Sequence, residues 1–460
     1  MYLNQTEALA RRAFLKRAAH VGLAGVAAPW AINLASMGEA AAFTASDYKA
    51  LVCVFLYGGN DFGNTIIPFD NTNYAAYNTI RTGLQIPQAN LASTALSPTA
   101  ALPNAMQLAL APNLSALKPI FDAGKLAIQL NVGTLIQPTT LAQYNAKSVP
   151  LPPKLFSHND QQSVWQSSKP EGSVQGWGGR LGDLGLTNNG SATFTCISVT
   201  GNSVFLAGQS AIPYQISTAG PVAVSGVKSG VYGSTACGTA LQSLISQSRT
   251  HMLESEYNKI TARSMAAQAT SSLAFTGTPP YTQVFNTANP LAMQLQAVAK
   301  MIGARSTFGA KRQVFMVSMG GFDNHDFLAT QHPTLMSNLG EALSQFYTAT
   351  QQMGVDQSVT AFTASDFGRT YASNGDGSDH GWGSHHFVLG GAVNGKQFYG
   401  TAPQISVTSN DQVGQGRLLP STAVDQYAAT LASWFGVSNS ELSLVVPNIV
   451  NYTTKNMGFV

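Results

Sequence analysis

Short apolar runs alternate along the chain with longer stretches in which apolar positions return every three or four residues. The short runs are rich in β-branched and aromatic residues, which is typical of strands buried on both faces of a parallel sheet. The longer stretches have the spacing of amphipathic helices. The predicted strands are Ala50–Leu56, Leu126–Val132, Phe194–Thr200, Gln313–Ser318, Val359–Thr363 and Phe387–Leu389.

The alternation of strand and helix favours an α/β fold with a mostly parallel sheet and helices on both faces. Residues 71–101 show no clear period and are predicted to be an insertion. Residues 188–233 are rich in Gly, Ser, Val and Thr and predict a small β-rich antiparallel cap. The predicted helices are Asn104–Ala123, Gly238–Gln268, Pro290–Arg305, His332–Met353 and Thr422–Trp434.

The N-terminus has the form of an export signal. Arg11 and Arg12 precede Phe14-Leu15, as in a twin-arginine signal, and a moderately apolar run ends at three alanines, residues 40–42. The alternative is an amphipathic surface helix that begins with two arginines. We expect residues 1–42 to be removed after the export machinery has carried the chain to the periplasm or beyond. No later stretch reaches the roughly 18 apolar residues of a membrane span.

Composition supports a location outside the cytoplasm. Charged residues make up 10% of the chain, against about 25% in ordinary soluble domains. Uncharged polar residues such as Ser, Thr, Asn and Gln must therefore provide much of the polar surface. The net charge is +3 without a basic patch, which argues against a nucleic-acid partner. Among three cysteines, Cys53 lies in an apolar run and is predicted to be core. Whether Cys196 and Cys237 pair stays open, because pairing needs close Cα atoms.

Three predicted strands end in a turn that carries a carboxylate, namely Asp61, Asp323 and Asp366. Ligands of an open parallel sheet bind beyond the carboxyl ends of its strands, so we expect the three turns to share one rim. Five of the eight histidines fall in these loops or in the Ser157–Asp160 segment. The five are His158, His325, His380, His385 and His386.

Several carboxylates on one rim repel each other unless a cation neutralises them. Mixed Asp and His ligation suits zinc, manganese or iron, and a more oxygen-rich set suits calcium or magnesium. The alternative for each residue is a turn, a helix cap or a structural salt bridge, and His386 is predicted to be a bystander. The predicted ligands of one or two divalent ions are Asp61, Asp323, His325, Asp366, His380 and His385.

Two further residues are candidates for catalysis. Ser157 opens a predicted helix, where free backbone N–H groups can face an anion. It is a candidate nucleophile, and the alternative is an ordinary N-cap serine. Arg369 follows Asp366 closely and is a candidate clamp for an anionic substrate.

At these motifs the chain resembles the domain of unknown function 1501 family, which is grouped by fold with the alkaline-phosphatase and sulfatase superfamily. The resemblance runs from about Lys49 to Trp434. It is carried by FLYGGNDFGNTIIP, LFSHNDQQSVWQ, GGFDNHD, SDFGRT and DHGWGSHHFVLGGAVNGKQFYG.

The resemblance implies a mostly parallel sheet with metal ligands at its carboxyl edge. It matches Asp61, Asp323 and Asp366 to metal aspartates, His380 or His385 to the late histidine, and Ser157 to the nucleophile. The chain also departs from the superfamily pattern. Phe367 stands where a ligand histidine usually follows the third aspartate, and no Cys-x-Pro-x-Arg run is present, which disfavours a formylglycine sulfatase.

The leading hypothesis is an exported, metal-dependent hydrolase of phosphate or sulfate esters, acting on a small-molecule or polymer substrate. One alternative is a non-catalytic exported protein that uses the same fold for binding or surface assembly. Another is a hydrolase of a different class of ester.

Overall fold

The computed structural model describes residues 45–460, so the predicted export signal at residues 1–42 lies outside the described part. The strands are β1 Lys49–Leu56, β2 Ile66–Pro68, β3 Leu108–Leu110, β4 Leu126–Gly133, β5 Cys196–Ser198, β6 Tyr214–Ser217, β7 Gly220–Pro221, β8 Arg312–Met319, β9 Val359–Ser365, β10 Ser384–Gly390, β11 Gln397–Tyr399 and β12 Thr422–Ala423.

Helices fill most of the long connections between the strands. The helices are α1 Asn71–Ile80, α2 Lys118–Asp122, α3 Leu141–Ala146, α4 His158–Ser167, α5 Trp177–Gly185, α6 Ser225–Lys228, α7 Thr235–Ser246, α8 Met252–Thr276, α9 Pro290–Gly303, α10 Leu328–Gln352, α11 Val424–Phe435 and α12 Leu442–Val445.

Ten strands form the central sheet in the order β11-β4-β10-β9-β1-β8-β5-β6-β7, with β12 beside β4. The central strand β1 is parallel to both neighbours, β8 and β9. Strand β10 runs antiparallel between β9 and β4, and β7 is antiparallel to β6. The prediction of an α/β fold with a mostly parallel sheet is therefore confirmed.

Alternate residues of β1 enter two different cores, because successive side chains of a strand point to opposite faces. Val52 and Val54 pack in a core that includes residues of α9 and α10. Leu51 and Phe55 pack in a second core that includes residues of α5 and α11. Helices therefore cover both faces of the sheet, and both faces exclude water, which explains why the strands read as continuous apolar runs.

Three sequence predictions of local structure are wrong. Residues 104–123 contain β3 and a few short turns, with α2 as the single α-helix, because Pro112 and Pro119 interrupt the pattern. The predicted helix Gly238–Gln268 is two helices, and the Asn258 side chain donates to the Gln247 carbonyl (2.7 Å) where the first one ends. Residues 188–233 form no separate cap, because the buried strand β5 pairs in parallel with β8 inside the main sheet.

The cysteines of the described chain are free thiols. Cys53 is buried in β1 as predicted, and Cys196 is buried in β5. Cys237 is exposed on α7, so the open question of a Cys196–Cys237 disulfide is answered against a pair. None of the helices within residues 45–460 combines the length and apolarity that a membrane crossing requires.

Candidate metal centre

The parallel register of β1, β8 and β9 brings two of the predicted acidic turns together. Leu56 at the end of β1 lies level with Met319 of β8 and Ser365 of β9. Asp323 and Asp366 follow these ends on the same edge of the sheet. Because β10 is antiparallel, the loop that precedes it, including His380, also lies at this edge. The start of α4 adds His158.

A turn of two glycines after β1 allows the backbone to approach both acidic loops. Gly58 has φ +116°, and a Cβ there would lie 2.4 Å from the Asp323 backbone nitrogen. The Gly58 N–H donates to Asp366 Oδ2 (3.1 Å). Gly59 has φ +86°, and a Cβ there would meet the Phe367 ring at 2.4 Å. Side chains at either position would push the acidic loops away from β1.

Three imidazoles and one carboxylate converge on a single point. His380 Nε2 lies 3.1 Å from His158 Nε2 and 2.9 Å from His325 Nε2. Asp323 Oδ1 lies 3.2 Å from the Nε2 atoms of both His325 and His380, and its Oδ2 lies 3.5 Å from His158 Nε2. His158, Asp323 and His380 form a group of possible metal ligands within 4.8 Å of one another.

The other nitrogen of each ring faces a hydrogen-bond acceptor. His158 Nδ1 lies 2.6 Å from Asp366 Oδ2, and His380 Nδ1 lies 2.8 Å from the Phe156 carbonyl oxygen. His325 Nδ1 lies 3.3 Å from Asp379 Oδ1. With these acceptors the Nδ1–H tautomer gives each neutral ring a hydrogen bond, and in that tautomer Nε2 is unprotonated. Phe156 has φ +71°, a conformation that is unfavourable for a non-glycine residue. In this conformation the Phe156 carbonyl faces His380 Nδ1.

Two unprotonated nitrogens cannot hydrogen-bond to each other, so at the 2.9–3.1 Å that separate His380 Nε2 from the Nε2 atoms of His158 and His325 they repel, and a cation bound to them would relieve that repulsion. In a tetrahedral zinc site with ligand bonds of about 2.0–2.1 Å, neighbouring ligand atoms lie about 3.3 Å apart. His380 Nε2 lies 2.9–3.1 Å from the other two Nε2 atoms, and an Asp323 oxygen lies 3.2–3.5 Å from each of the three, which is close to that spacing. Acceptors behind ligating imidazoles are also the usual support of a metal site. The donor set therefore fits one metal ion.

The charges of the cluster also favour a cation. The hydrogen bond to Asp366 raises the pKa of His158 despite the opposing effect of burial. Burial raises the pKa of Asp323, but the hydrogen bond and charge of Arg369 outweigh it, so that the pKa is lowered. Asp323, Asp366 and Asp379 with one guanidinium leave two net negative charges among the paired groups, which is the charge that a divalent ion neutralises.

Phe367 provides an apolar floor beneath the cluster. Its ring is buried and lies 4.8 Å, between ring centres, from both His158 and His380. Phe367 thus stands where the resemblance would place a ligand of a second ion. The single group of donors above and this apolar floor favour one metal ion over two.

Arg369 has a different place from the predicted anion clamp. The side chain is fully buried, and Nη1 donates to Asp323 Oδ1 (2.8 Å) and to the Gly58 carbonyl (2.9 Å). Its Nε donates to Ser378 Oγ (3.0 Å), and Nη2 donates to the Ser378 carbonyl. With four of its five N–H donors on these partners and no exposed surface, Arg369 holds Asp323 in position and offers no surface to a substrate.

Asp61 is also placed differently, although it follows β1 as predicted. Its carboxylate accepts a hydrogen bond from Arg81 Nη2 at 2.5 Å, and both side chains are fully buried. Within residues 45–460, no hydrogen bond or ion pair joins it to the histidines of the cluster. Arg81 neutralises Asp61, so this carboxylate belongs to a structural ion pair beside the centre and not to the predicted ligand set.

His385 and His386 lie inside β10, away from the cluster. His385 Nδ1 accepts from the Asn131 N–H (3.1 Å), its ring contacts Phe62 (5.2 Å between centres), and burial lowers its pKa to about 4. His386 packs against Trp165. His385 is therefore a core histidine, which corrects its assignment as a ligand, whereas His386 is the bystander that the sequence predicts.

Ser157 lies between two members of the cluster, Phe156 and His158. It stands at the N-cap of α4, but its hydroxyl makes no cap hydrogen bond. The hydroxyl donates instead to Asp160 Oδ2 (2.8 Å), a buried carboxylate. The position is thus unlike an ordinary N-cap serine, because a carboxylate is poised to accept the serine proton.

Two members of the centre are not identified from the sequence. His158 was grouped with the loop histidines but not assigned as a ligand, and Asp379, the partner of His325, received no role. The Phe-Ser-His-Asn-Asp run and the Asp-His pair at 379–380 were the available signals. The predicted residues that the structure brings together are Asp323, His325, Asp366, His380 and Arg369.

The centre is open to solvent. The side chains of Asp323 and His325 are 47% and 41% exposed, and those of His158 and His380 are 27% and 26% exposed. A cavity of about 590 Å³ runs along the loop after β4 and is lined by none of the cluster residues. A substrate would therefore reach the cluster across an open rim.

The Asp61–Arg81 pair gives a testable distinction between structural and ligand aspartates. Replacing Arg81 by methionine leaves a buried carboxylate without its partner, and we expect the free energy of unfolding to fall by about 3–5 kcal/mol. Metal binding by the folded variant should equal that of wild type, because Asp61 lies outside the cluster. Urea denaturation and a metal titration measure the two effects.

The double variant Asp61→Asn/Arg81→Met is the matched control, because removing both charges should recover most of the lost stability. Loss of metal binding by Arg81→Met under conditions in which it is folded would return Asp61 to the ligand set.

Comparisons with solved structures find chains of low sequence identity. A Bacteroides thetaiotaomicron protein from a locus for the metabolism of multiple glycosaminoglycans has 10% identity and a TM-score of 0.36, over 86% of this chain and 74% of the other. The lipoteichoic acid synthase LtaP from Listeria monocytogenes has 9% identity and a TM-score of 0.34, over 89% and 77%. The protein Ps i-CgsB, solved with a neocarrahexaose, has 9% identity and a TM-score of 0.36, over 89% and 77%.

No curated protein matches the chain. One family does match, and its model covers residues 48–431, which is well over half of the sequence and includes every residue of the centre. Its description gives no activity. The chain is a member of the protein family of unknown function DUF1501.

Proposed function

We propose that the protein is a metal-dependent hydrolase of phosphate or sulfate esters that holds one divalent ion. The observation that carries the proposal is the position of His380 Nε2, 2.9–3.1 Å from the Nε2 atoms of His158 and His325, with an Asp323 oxygen 3.2–3.5 Å from each of the three. Such an arrangement is costly unless a cation occupies its centre.

His158, Asp323, His325 and His380 would hold the ion. A set of three nitrogens and one carboxylate favours zinc or manganese over calcium, which prefers six to eight oxygen ligands. A divalent ion in this place supplies Lewis-acid stabilisation to a phosphoryl or sulfuryl oxygen. Asp366, Asp379 and the Phe156 carbonyl fix the imidazole tautomers, and Arg369 fixes Asp323.

Ser157 is the proposed nucleophile, with Asp160 as the acceptor of its proton. The hydroxyl already donates to Asp160 Oδ2, and Lys154 Nζ lies 3.7 Å from the other carboxylate oxygen. This pairing activates a serine in the way that an adjacent general base does.

Arg417 takes over the anion-binding role that Arg369 cannot fill. Its Nε donates to the His380 carbonyl (2.8 Å), and its guanidinium lies over the Phe156 ring (5.2 Å). Burial raises the pKa of Asp379, but the hydrogen bonds of Asn374 and His325 and the charges of His325 and Arg417 outweigh it, so that the pKa is lowered. The open rim admits a polymer ester as well as a small molecule.

Export to the periplasm or beyond is part of the proposal. It is supported by the Arg11-Arg12-Ala13-Phe14-Leu15 sequence, the apolar run that follows and the low charge of the chain.

The central test compares two aspartates of one loop. Asp323→Asn should remove bound zinc or manganese and reduce the hydrolysis of aryl phosphate or aryl sulfate by at least about 100-fold, the size expected for loss of a main catalytic group. Asp326→Asn, three residues away and exposed, should keep both properties. Ser157→Ala should keep the metal and lose turnover. Elemental analysis and a panel of aryl esters measure these outcomes.

The outcomes separate the parts of the proposal. Absence of zinc, manganese and calcium from the folded protein, with no binding on addition, would contradict the metal centre. Metal binding without turnover of any ester in the panel would contradict the hydrolase and favour a binding protein. Turnover of carboxylic esters alone would contradict the phosphate or sulfate specificity.

Export is tested by Arg11→Lys/Arg12→Lys. The twin-arginine route requires the paired arginines, so this variant should stay in the cytoplasm at unchanged charge. Lys16→Arg/Arg17→Lys conserves charge next to the pair and should be exported like wild type. Equal periplasmic amounts of the two variants in cell fractionation would overturn the proposal.

A further inference from the structure

Exposed apolar side chains are concentrated in one segment of the chain. Of fifteen exposed large hydrophobic residues in the described chain, nine fall between residues 222 and 273. Soluble proteins seldom leave contiguous apolar patches of this kind without a partner. The nine are Val222, Val224, Tyr232, Leu244, Met252, Leu253, Tyr257, Ile260 and Leu273.

Helix α8 carries the most regularly spaced of these exposed side chains. Leu253, Tyr257, Ile260 and Ser264 are spaced four, three and four residues apart, which places them within an arc of about 60° on one helix face. The first three are 69%, 67% and 53% exposed. They form a continuous apolar stripe, defined here by Leu253, Tyr257 and Ile260.

The same face of α8 is buried farther along the helix. It continues as Ala267 and Ser271, which are 7% and 0% exposed. The Ser271 hydroxyl lies 2.9 Å from the Tyr214 hydroxyl of β6, and Lys300 of α9 lies over the Phe275 ring. The C-terminal half of the face thus packs on the body of the protein, whereas the N-terminal half projects beyond it with its apolar stripe in solvent.

The projecting half is not free on its other side. Asn258, which faces away from the stripe, is buried and donates to the Gln247 and Leu244 carbonyls at the end of α7. Helix α7 therefore supports α8 from behind and leaves the stripe as the surface that has no partner within residues 45–460.

The charges beside the stripe are complementary to those of an antiparallel copy. Glu256 lies at one edge of the stripe, and Lys259 and Arg263 follow on the same edge, with Glu256 oxygens 3.7 and 3.5 Å from their nitrogens. A two-fold axis between Asn258 and Lys259 would place Tyr257 against Ile260 of the second copy. The same axis would place Glu256 level with the interval between the second copy's Lys259 and Arg263.

We propose that the apolar stripe of α8 pairs with the same stripe of a second copy of this chain, in antiparallel orientation. The pairing buries both stripes, and along one shared edge it brings acidic and basic side chains of the two copies together. In a two-fold interface the same surface of both copies is in contact, so that surface must be complementary to itself. The apolar stripe and the mixed charges along its edge meet this condition. Self-association is independent of the proposed hydrolase activity.

Sedimentation velocity of the purified full chain tests the pairing. Wild type should form a dimer at micromolar concentration, and Ile260→Asp should weaken it by at least about 10-fold, because a charge would be buried at the centre of the contact. Leu444→Asp is the matched control, since Leu444 is 52% exposed and Ile260 53%; its dimer should equal that of wild type. Circular dichroism verifies that each variant is folded.

Charge reversal tests the orientation. Glu256→Lys makes the edge wholly basic, and Lys259→Glu/Arg263→Glu makes it wholly acidic, so each variant alone should lose the dimer. An equimolar mixture of the two should restore it as a heterodimer. A monomeric wild type at 100-fold higher concentration, or a dimer unaffected by Ile260→Asp, would overturn the pairing. Loss in both variants without recovery in the mixture would overturn the antiparallel arrangement.

Discussion

The arrangement of the centre depends on one electrostatic constraint. His380 Nε2 lies 3.1 and 2.9 Å from the Nε2 atoms of His158 and His325, and the Asp323 carboxylate closes the group at 3.2 Å. Each ring is held in this orientation from behind by an acceptor that takes its Nδ1 proton. In the Nδ1–H tautomer, three hydrogen bonds direct ring lone pairs towards one point, an arrangement that suits a cation.

The rest of the fold positions these groups. Parallel strands that end level with each other deliver Asp323 and Asp366, and two glycines in left-handed conformations let β1 approach both loops. Arg369 and Arg81 show two uses of buried guanidinium groups. Arg369 orients a ligand carboxylate, whereas Arg81 neutralises one that lies outside the centre. The two acids, Asp323 and Asp61, are alike in sequence setting, and their partners decide their roles.

The local pattern of apolar positions predicted the core strands well, because strands buried on both faces carry continuous apolar runs. The same pattern could not resolve the region before β4, where prolines divide an apparently helical stretch. For the site, strand ends followed by acidic turns indicated that Asp323 and Asp366 share one edge of the sheet, but Asp366 faces His158 Nδ1 and is not among the predicted ligands that face the centre of the cluster. The sequence could not show that Arg81, twenty residues beyond Asp61, removes that carboxylate from the ligand set. It also could not show that His385 faces Phe62 inside β10, since this depends on tertiary packing.

Nitrogen-15 chemical shifts of the histidine rings test the central claim most directly. In metal-free protein at a pH where the rings are neutral, His158, His325 and His380 should each carry the proton on Nδ1 and show an unprotonated Nε2. Addition of zinc should then shift the Nε2 signals of these three residues together, at one ion per chain, and leave His385 and His386 unchanged. A proton on Nε2 in any of the three metal-free rings, or Nε2 signals that ignore saturating zinc, would contradict the account.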